Sequence, residues 1–493
     1  MKDLKEKTIR GAASRLVAQG INSAVNLVSL VVLARLLGPA EYGLVGMVTA
    51  FTGVLGLFRD FGLSTAAVQR ADITKEQSSA LFWVNIAVGA GLTLLGIAMA
   101  PAVAAFFHDR RLIAVTMVMA TSFLFNAAGV QHGVLLQRQM RFTALAAIYT
   151  VAGVSSTGLG IWGAMNGYGY WALVSINITG PLVVTIGCWL TTMWIPGLPR
   201  RKTGVRAMMR FGGTVTLNSL VAYAAYNLEK VLLGRFWGAD ALGIYGRAYR
   251  LVNIPTDNLN SAVGEVALSS LSRVQHQPQR FRSYYLKAHS LVMGFTLPIT
   301  FIFALFAEDT IRVLLGPKWL SAVPIIRFLA PTIVVFGVIN PLNWLMTALG
   351  HVERNLKLAL IFAPLIMLGY VIGLPYGPKG VALGYSAVTA LCAIPLTAFC
   401  VSGTPVSLRD ILTISVRPLA SCIAAGALAL AVRETYGRHL LHPLPRLALE
   451  SGVLLVSFTV ILLFVARQKD LYMDLFRGLI KRSSADDKDM AAA

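Results

Sequence analysis

Residues 33–44 read Leu33-Ala-Arg-Leu-Leu-Gly-Pro-Ala-Glu-Tyr-Gly-Leu44, and residues 233–244 read Leu233-Gly-Arg-Phe-Trp-Gly-Ala-Asp-Ala-Leu-Gly-Ile244. Arg35, Gly38 and Gly43 return as Arg235, Gly238 and Gly243 at one offset (235 − 35 = 200). Each copy closes a long apolar stretch, turns at glycine and opens another. A second echo sets Gly167, Ala172 and Leu173 against Gly377, Ala382 and Leu383 (377 − 167 = 210). Two echoes at nearly one period point to an internal duplication, as in transporters built from repeated halves.

Working outward, the whole chain is apolar. Hydrophobic residues make up 56% and charged residues 13%, and the mean hydropathy is +0.67. Those values exclude an ordinary soluble domain. The length of 493 residues accommodates roughly 12–15 membrane-crossing helices of about 20 residues each. The net charge of +21 fits cytoplasmic loops and an anionic inner leaflet better than nucleic acid. Cys188, Cys392, Cys400 and Cys422 all sit inside apolar stretches, which argues against a disulfide framework and against a thiolate metal site. The first apolar segment is too long and too polar, with Arg15, Gln19, Asn22 and Asn26, to read as a cleavable signal peptide.

Hydropathy places spans at 10–36, 40–62, 77–100, 112–134, 142–165 and 170–194. A second set lies at 207–236, 241–268, 284–306, 321–348, 353–373 and 378–401, followed by 411–432 and 447–466. The expected fold is therefore an all-α integral membrane protein of 14 helices. Two parallel six-helix lobes, 1–195 and 207–401, surround a central cavity. A basic loop at 196–206 joins them, two extra helices and an amphipathic end occupy 402–482, and 483–493 reads as a disordered tail. Six spans per lobe start both copies on the same side, so the lobes relate by an axis along the membrane normal. Lys and Arg concentrate in the segments that face inward when the N-terminus is cytoplasmic, among them Arg200, Arg201 and Lys202. That bias puts both termini in the cytoplasm.

Ionisable groups inside spans are costly and mark function unless they are satisfied by packing. Arg15, Gln19, Asn22 and Asn26 recur at i, i+4, i+7 and i+11, one stripe of a helix. Arg210, Thr214 and Asn218 form a similar stripe, continued near that face by Tyr226 and Lys230. Arg247, Arg250, Asp257, Ser261 and Glu265 share roughly one side of the next span, and Arg327 lies two turns into the tenth. A hydrophilic cavity between the halves would gather them. Candidate substrate-binding residues are Arg15, Asn22, Asn26, Asn218, Lys230, Arg250 and Arg327, and candidate ion-coupling residues are Asp257 and Glu265. The excess of cations favours an anionic ligand, and Arg suits phosphate because its fork donates two hydrogen bonds at once. Several polar residues have simpler roles. Arg35 and Arg235, near helix ends, fit snorkelling or carbonyl capping. Arg59 and Asp60 fit a structural ion pair as well as a substrate contact. Trp171, Trp194 and Trp237 fit interfacial anchoring.

The stretch Asn227 to Pro255, with Leu33–Leu44, Arg59-Asp-Phe-Gly-Leu-Ser-Thr-Ala-Ala-Val-Gln-Arg70 and Leu315-Gly-Pro-Lys-Trp319, resembles the polysaccharide transporter family. These are the Wzx-type flippases of the multidrug/oligosaccharidyl-lipid/polysaccharide exporter superfamily. The resemblance implies a V-shaped helical transporter with alternating access. It implies movement of undecaprenyl-pyrophosphate-linked oligosaccharide repeat units from the cytoplasmic to the periplasmic leaflet of the bacterial inner membrane, for exopolysaccharide or lipopolysaccharide. Further expected partners are the bilayer, a polysaccharide polymerase and export machinery. One departure is Ala267-Leu-Ser-Ser-Leu-Ser-Arg273, where the family often has a proline, preceded by the less expected acid Glu265.

The alternative within the superfamily is a drug or cation antiporter, which the basic bias disfavours. An enzyme, such as a membrane glycosyltransferase or polymerase, would need carboxylates in a sizeable outer loop. Here Asp109 and Glu308-Asp309 are better explained as expected solvated turns. No metal-ligand spacing or phosphate loop is readable. The expectation is a transporter with no enzymatic activity and no cofactor.

Overall fold

The computed structural model describes residues 2–59, 74–198, 205–436, 442–465 and 468, with the side chains of 2–18, 205–222, 224–225, 258–259, 261–262, 265, 352, 355–356 and 359 outside the description. Every regular element among the described residues is helical. Lipid offers backbone groups no hydrogen-bond partner, so a spanning chain must satisfy them within itself. The helices are α1 (Lys2–Leu36), α2 (Pro39–Leu57), α3 (Lys75–Phe107), α4 (Arg111–Arg138), α5 (Phe142–Met165), α6 (Tyr170–Thr192) and α7 (Val205–Arg273). They continue as α8 (Pro278–Leu305), α9 (Ala307–Leu314), α10 (Val323–Ala348), α11 (Val352–Gly373), α12 (Gly377–Val401), α13 (Leu408–Thr435) and α14 (Pro443–Val460).

Eleven stretches among the described residues are long and apolar enough to cross a membrane, which makes the chain a multi-pass membrane protein. One of them, Leu360–Val401, takes in both α11 and α12. The spans expected at 207–236 and 241–268 form one helical run, α7, interrupted at Gly238 with φ +81°. Glycine occupies that conformation without the clash a Cβ would bring. The short α9 was not expected as a helix. It carries Glu308 and Asp309 in its first turn and Arg312 in its last, the charge order that the helix dipole favours.

Local sequence explains several helix ends. Thr74 accepts from the Gln77 backbone N–H, while the Gln77 side chain accepts from the Thr74 backbone N–H. Ser407 and Asp410 repeat this reciprocal cap at the start of α13. Gly167 and Gly377, the paired glycines of the second echo, both take positive φ, +78° in the turn before α6 and +71° at the first residue of α12.

The chain divides into two compact units, Met1–Gly246 and Arg247–Ala493, with the boundary inside α7. In the first, α3 packs on α4, α4 on α6, α5 on α6 and α1 on α5. In the second, α8 packs on α10, α10 on α12 and α11 on α12. The neighbour order thus recurs. Small residues make these approaches, as expected where lipid cannot drive helix association. A Cβ on Gly89 would lie 2.4 Å from that of Ala127, joining α3 to α4, and one on Gly337 would lie 2.8 Å from Thr296 Oγ1, joining α10 to α8. Gly373 and Gly380 meet backbone to backbone between α11 and α12. Outward from these seams, Leu94, Leu190, Leu391 and Val456 are largely exposed, the surface a bilayer would cover.

The two helices beyond the duplication dock firmly on the second unit. Met293 and Leu297 of α8 share a core with Cys422 and Ala425 of α13 and Phe458 of α14. Asp309, expected in a solvated turn, is instead fully buried in the first turn of α9: it accepts from Arg446 of α14, and Arg433 of α13 stands 3.8 Å from its other oxygen. Arg433 also lies 3.6 Å from the buried Glu450. A buried ion cluster of this kind is costly to break, because removing one partner strands the others. The four cysteines are all free thiols.

Candidate functional site

The repeated motif meets its own copy. α2 lies along the first part of α7 within the first unit, and the approach is set by glycines. A Cβ on Gly43 would fall 1.7 Å from the Ala239 carbonyl oxygen, and one on Gly243 would fall 1.9 Å from the Pro39 carbonyl oxygen. The two echoed glycines thus contact each other's motif reciprocally, backbone against backbone. Further along, Gly53 leaves room for the Tyr223 ring, whose hydroxyl donates to the Thr49 carbonyl at 3.0 Å. At the other end, Arg235 donates to His108 Nδ1 at 3.1 Å and lies over the Phe106 ring at 5.7 Å. Arg235 is therefore held by protein groups. His108 closes α3 in the left-handed region, with φ +58°.

The sequence-predicted polar residues are placed as follows. Asn22 is half-buried on α1, with its Oδ1 3.3 Å from where a Cβ on Gly153 of α5 would stand, while Asn26 is exposed. Lys230 donates to Asn227 Oδ1 at 2.7 Å. Arg250 and Asp257 come together, 3.6 Å apart, with both side chains more than half exposed. Arg327 is exposed on α10. The side chains of Arg15, Asn218 and Glu265 lie outside the described residues, as do Asp60 and the tail 483–493. A charged pair on a membrane-length segment is tolerated where it meets water or other protein. Arg250 with Asp257 is such a pair.

Glu229 is 2% exposed, and one carboxylate oxygen has no hydrogen-bond partner.

Two features escaped sequence reading. His132 is stacked on Trp189 at 4.3 Å and shares an aromatic cluster with Phe82 and Trp194, and its Nε2 lies 3.2 Å from the Trp194 carbonyl. Trp194 is thus part of a packed cluster. The second feature is a cavity of about 380 Å³ in the first unit. Arg59, Asn126, Gln137 and Tyr149 line it, together with Gly133 and Pro181. The sequence signal was available: Asn126, Gly129, Gly133 and Gln137 fall at i, i+3, i+7 and i+11, one face of α4. Another cavity, of about 320 Å³, is bordered by Trp162, Tyr168 and Trp171, and its other walls are chiefly apolar.

A family model described as "Polysaccharide biosynthesis protein" matches residues 32–324, more than half of the chain. The chain is 25% identical over 401 residues to the lipopolysaccharide biosynthesis protein WzxC of Escherichia coli (strain K12), covering 79% of this chain and 80% of that one. It is 24% identical over 453 residues to the succinoglycan biosynthesis transport protein ExoT of Rhizobium meliloti (strain 1021), covering 90% of each. In fold it resembles the lipid II flippase MurJ in an inward closed conformation, with a TM-score of 0.73, 15% identity, and coverage of 93% of this chain and 99% of that one. With a family match that covers both copies of the echoed motif, 33–44 and 233–244, the chain belongs to the polysaccharide biosynthesis protein family.

Proposed function

We propose that this chain is a flippase. It carries undecaprenyl-pyrophosphate-linked oligosaccharide repeat units from the cytoplasmic to the periplasmic leaflet of the bacterial inner membrane, with both termini cytoplasmic. The observation that carries this reading is family membership on a chain built almost wholly of membrane-length helices. No connection between the described helices is long enough to fold into a catalytic domain. A polysaccharide biosynthesis protein so built acts on something that crosses or resides in the bilayer. Homologues named for lipopolysaccharide biosynthesis and succinoglycan transport, and a fold shared with a lipid II flippase, support the same cargo class.

Physically, a diphosphate headgroup cannot cross hydrocarbon unshielded. Cations are the natural shield, and Arg15, Arg250, Arg327 and Lys230 are proposed to hold the pyrophosphate. Asn22, Asn26 and Asn218 would offer sugars paired donors and acceptors. Two six-helix lobes, 1–195 and 207–401, would rock to give alternating access. Asp257 and Glu265 are proposed as ion-coupling groups. Delivery to a polymerase and export machinery follows outside.

The test is the sidedness of lipid-linked oligosaccharide in membranes depleted of this protein. Accumulation on the cytoplasmic leaflet supports the flippase. Failure to make the glycolipid at all would point to an earlier, enzymatic step. Unchanged sidedness would favour a drug or cation antiporter.

A further inference from the structure

The geometry points to a second headgroup site contained within the first unit: the cavity between α4, α5, α6 and the end of α2 binds a phosphorylated sugar. Its volume, about 380 Å³, lies in the small-ligand range of about 300–1,000 Å³. Arg59 lines the cavity with a guanidinium whose fork suits phosphate. Asn126 gives one N–H to the Ser122 carbonyl at 2.8 Å, which leaves its carbonyl oxygen and a second N–H for a ligand. The Gln137 amide likewise donates and accepts, the pattern a sugar hydroxyl requires. Tyr149, 48% exposed, presents a ring and a hydroxyl, and Val130, Val134 and Pro181 form apolar walls for the C–H face of a pyranose.

Two glycines on α4 divide the work of keeping this space. A Cβ on Gly129 would come within 2.5 Å of Thr185 Oγ1, so Gly129 packs α4 on α6. A Cβ on Gly133 would meet nothing within 4 Å, so Gly133 borders open space. No carboxylate stands among the described lining residues, which disfavours a cationic ligand. The chiefly apolar cavity beside Trp162 is a contrast: its lining suits an acyl chain, whereas amides and a guanidinium do not. The sugar phosphate as a class rests on the flippase reading, and the site's preference for a phosphorylated polyol rests on the cavity itself.

The test uses the full-length protein in detergent with Gly133→Cys, and follows maleimide labelling at position 133 by mass spectrometry. The probe is α-D-glucose 1-phosphate, with glucose and inorganic phosphate as controls. A bound probe at ten times its half-saturating concentration should slow labelling about tenfold. Neither glucose nor phosphate alone should match it, and Arg59→Gln should remove the protection. Absence of protection, or protection that survives Arg59→Gln, overturns the site. In cells, Gly133→Leu should stop polysaccharide export while membrane level is kept, because leucine favours the helix and fills the cavity. Normal export in that variant also overturns it. Protection in vitro together with unchanged glycolipid sidedness on depletion would uphold the site and sink the flippase reading.

Discussion

Gly43→Ala is the most informative single change. The added methyl would stand 1.7 Å from the Ala239 carbonyl oxygen, 2.4 Å from its carbon and 2.8 Å from its Cα. Carbon and carbonyl oxygen approach no closer than about 3.3 Å even in weak C–H···O contacts, so the strands of backbone must part by roughly 1.6 Å. No rotamer relieves this, because both sides are main chain. Overpacking of a tight seam costs about 1–3 kcal/mol and sometimes more, and backbone against backbone belongs at the upper end. A cost of about 3 kcal/mol shifts an equilibrium by roughly 150-fold. Gly243→Ala should act alike, with 1.9 Å to the Pro39 oxygen. Because the contacts are reciprocal, the first substitution opens space for the second, and the double variant should lose much less than the sum. Gly20→Ala, with nothing within 4 Å, is the control and should be neutral or slightly stabilising. Melting of the purified protein and export by cells at matched membrane level provide the readout. Strictly additive losses, or an unaltered Gly43→Ala protein, would refute the reciprocal junction.

Other expectations are more local. Arg250→Ala should reduce export at unchanged membrane level, and Arg250→Lys should also impair it because the two-pronged donor is lost. Normal export in both would remove Arg250 from the proposed site. Asp309→Asn should destabilise by about 3–5 kcal/mol, since Arg446 and Arg433 lose their buried counter-charge. Unchanged melting and protein level would show that α13 and α14 do not depend on this cluster. Hydrogen bonds from Arg111 and Arg312 hold the Asp109 and Glu308 carboxyls below their ordinary values. A depressed folded-state value stabilises above the unfolded value and is lost as pH falls through the folded one. Melting temperature should therefore hold steady down to about pH 4.5 and decline below it, and the decline should be shallower in Asp109→Asn. An equal decline in that variant would count against the Asp109 contribution.

Much of this protein was legible in the sequence because membrane physics is local. Long apolar runs must become helices, since only the chain itself can satisfy its backbone groups in lipid. The expected spans from 77–100 to 170–194 correspond to α3 to α6. Turn glycines were readable too: the echoed pair Gly167 and Gly377 share a positive φ. Local likeness has limits, however. Gly38 and Gly238 are echoed in sequence, yet Gly38 caps α2 at φ −94° while Gly238 breaks α7 at φ +81°.

What only tertiary structure decided is which faces meet. Periodicity assigns Asn126, Gly133 and Gln137 to one face of α4, but Arg59 comes from the turn after α2 and Tyr149 from α5, and only packing closes a cavity around them. The motif at 33–44 announced a turn, whereas its contact with its own copy at 233–244 depends on α2 lying along α7. Tyr223, distant in sequence, supports the same contact. Hydropathy and hydrogen bonding act over a few residues and write themselves into composition and period. Close approach of two backbones depends on the absence of a Cβ at two places 200 residues apart (243 − 43 = 200), and only the folded chain shows that those two absences face each other.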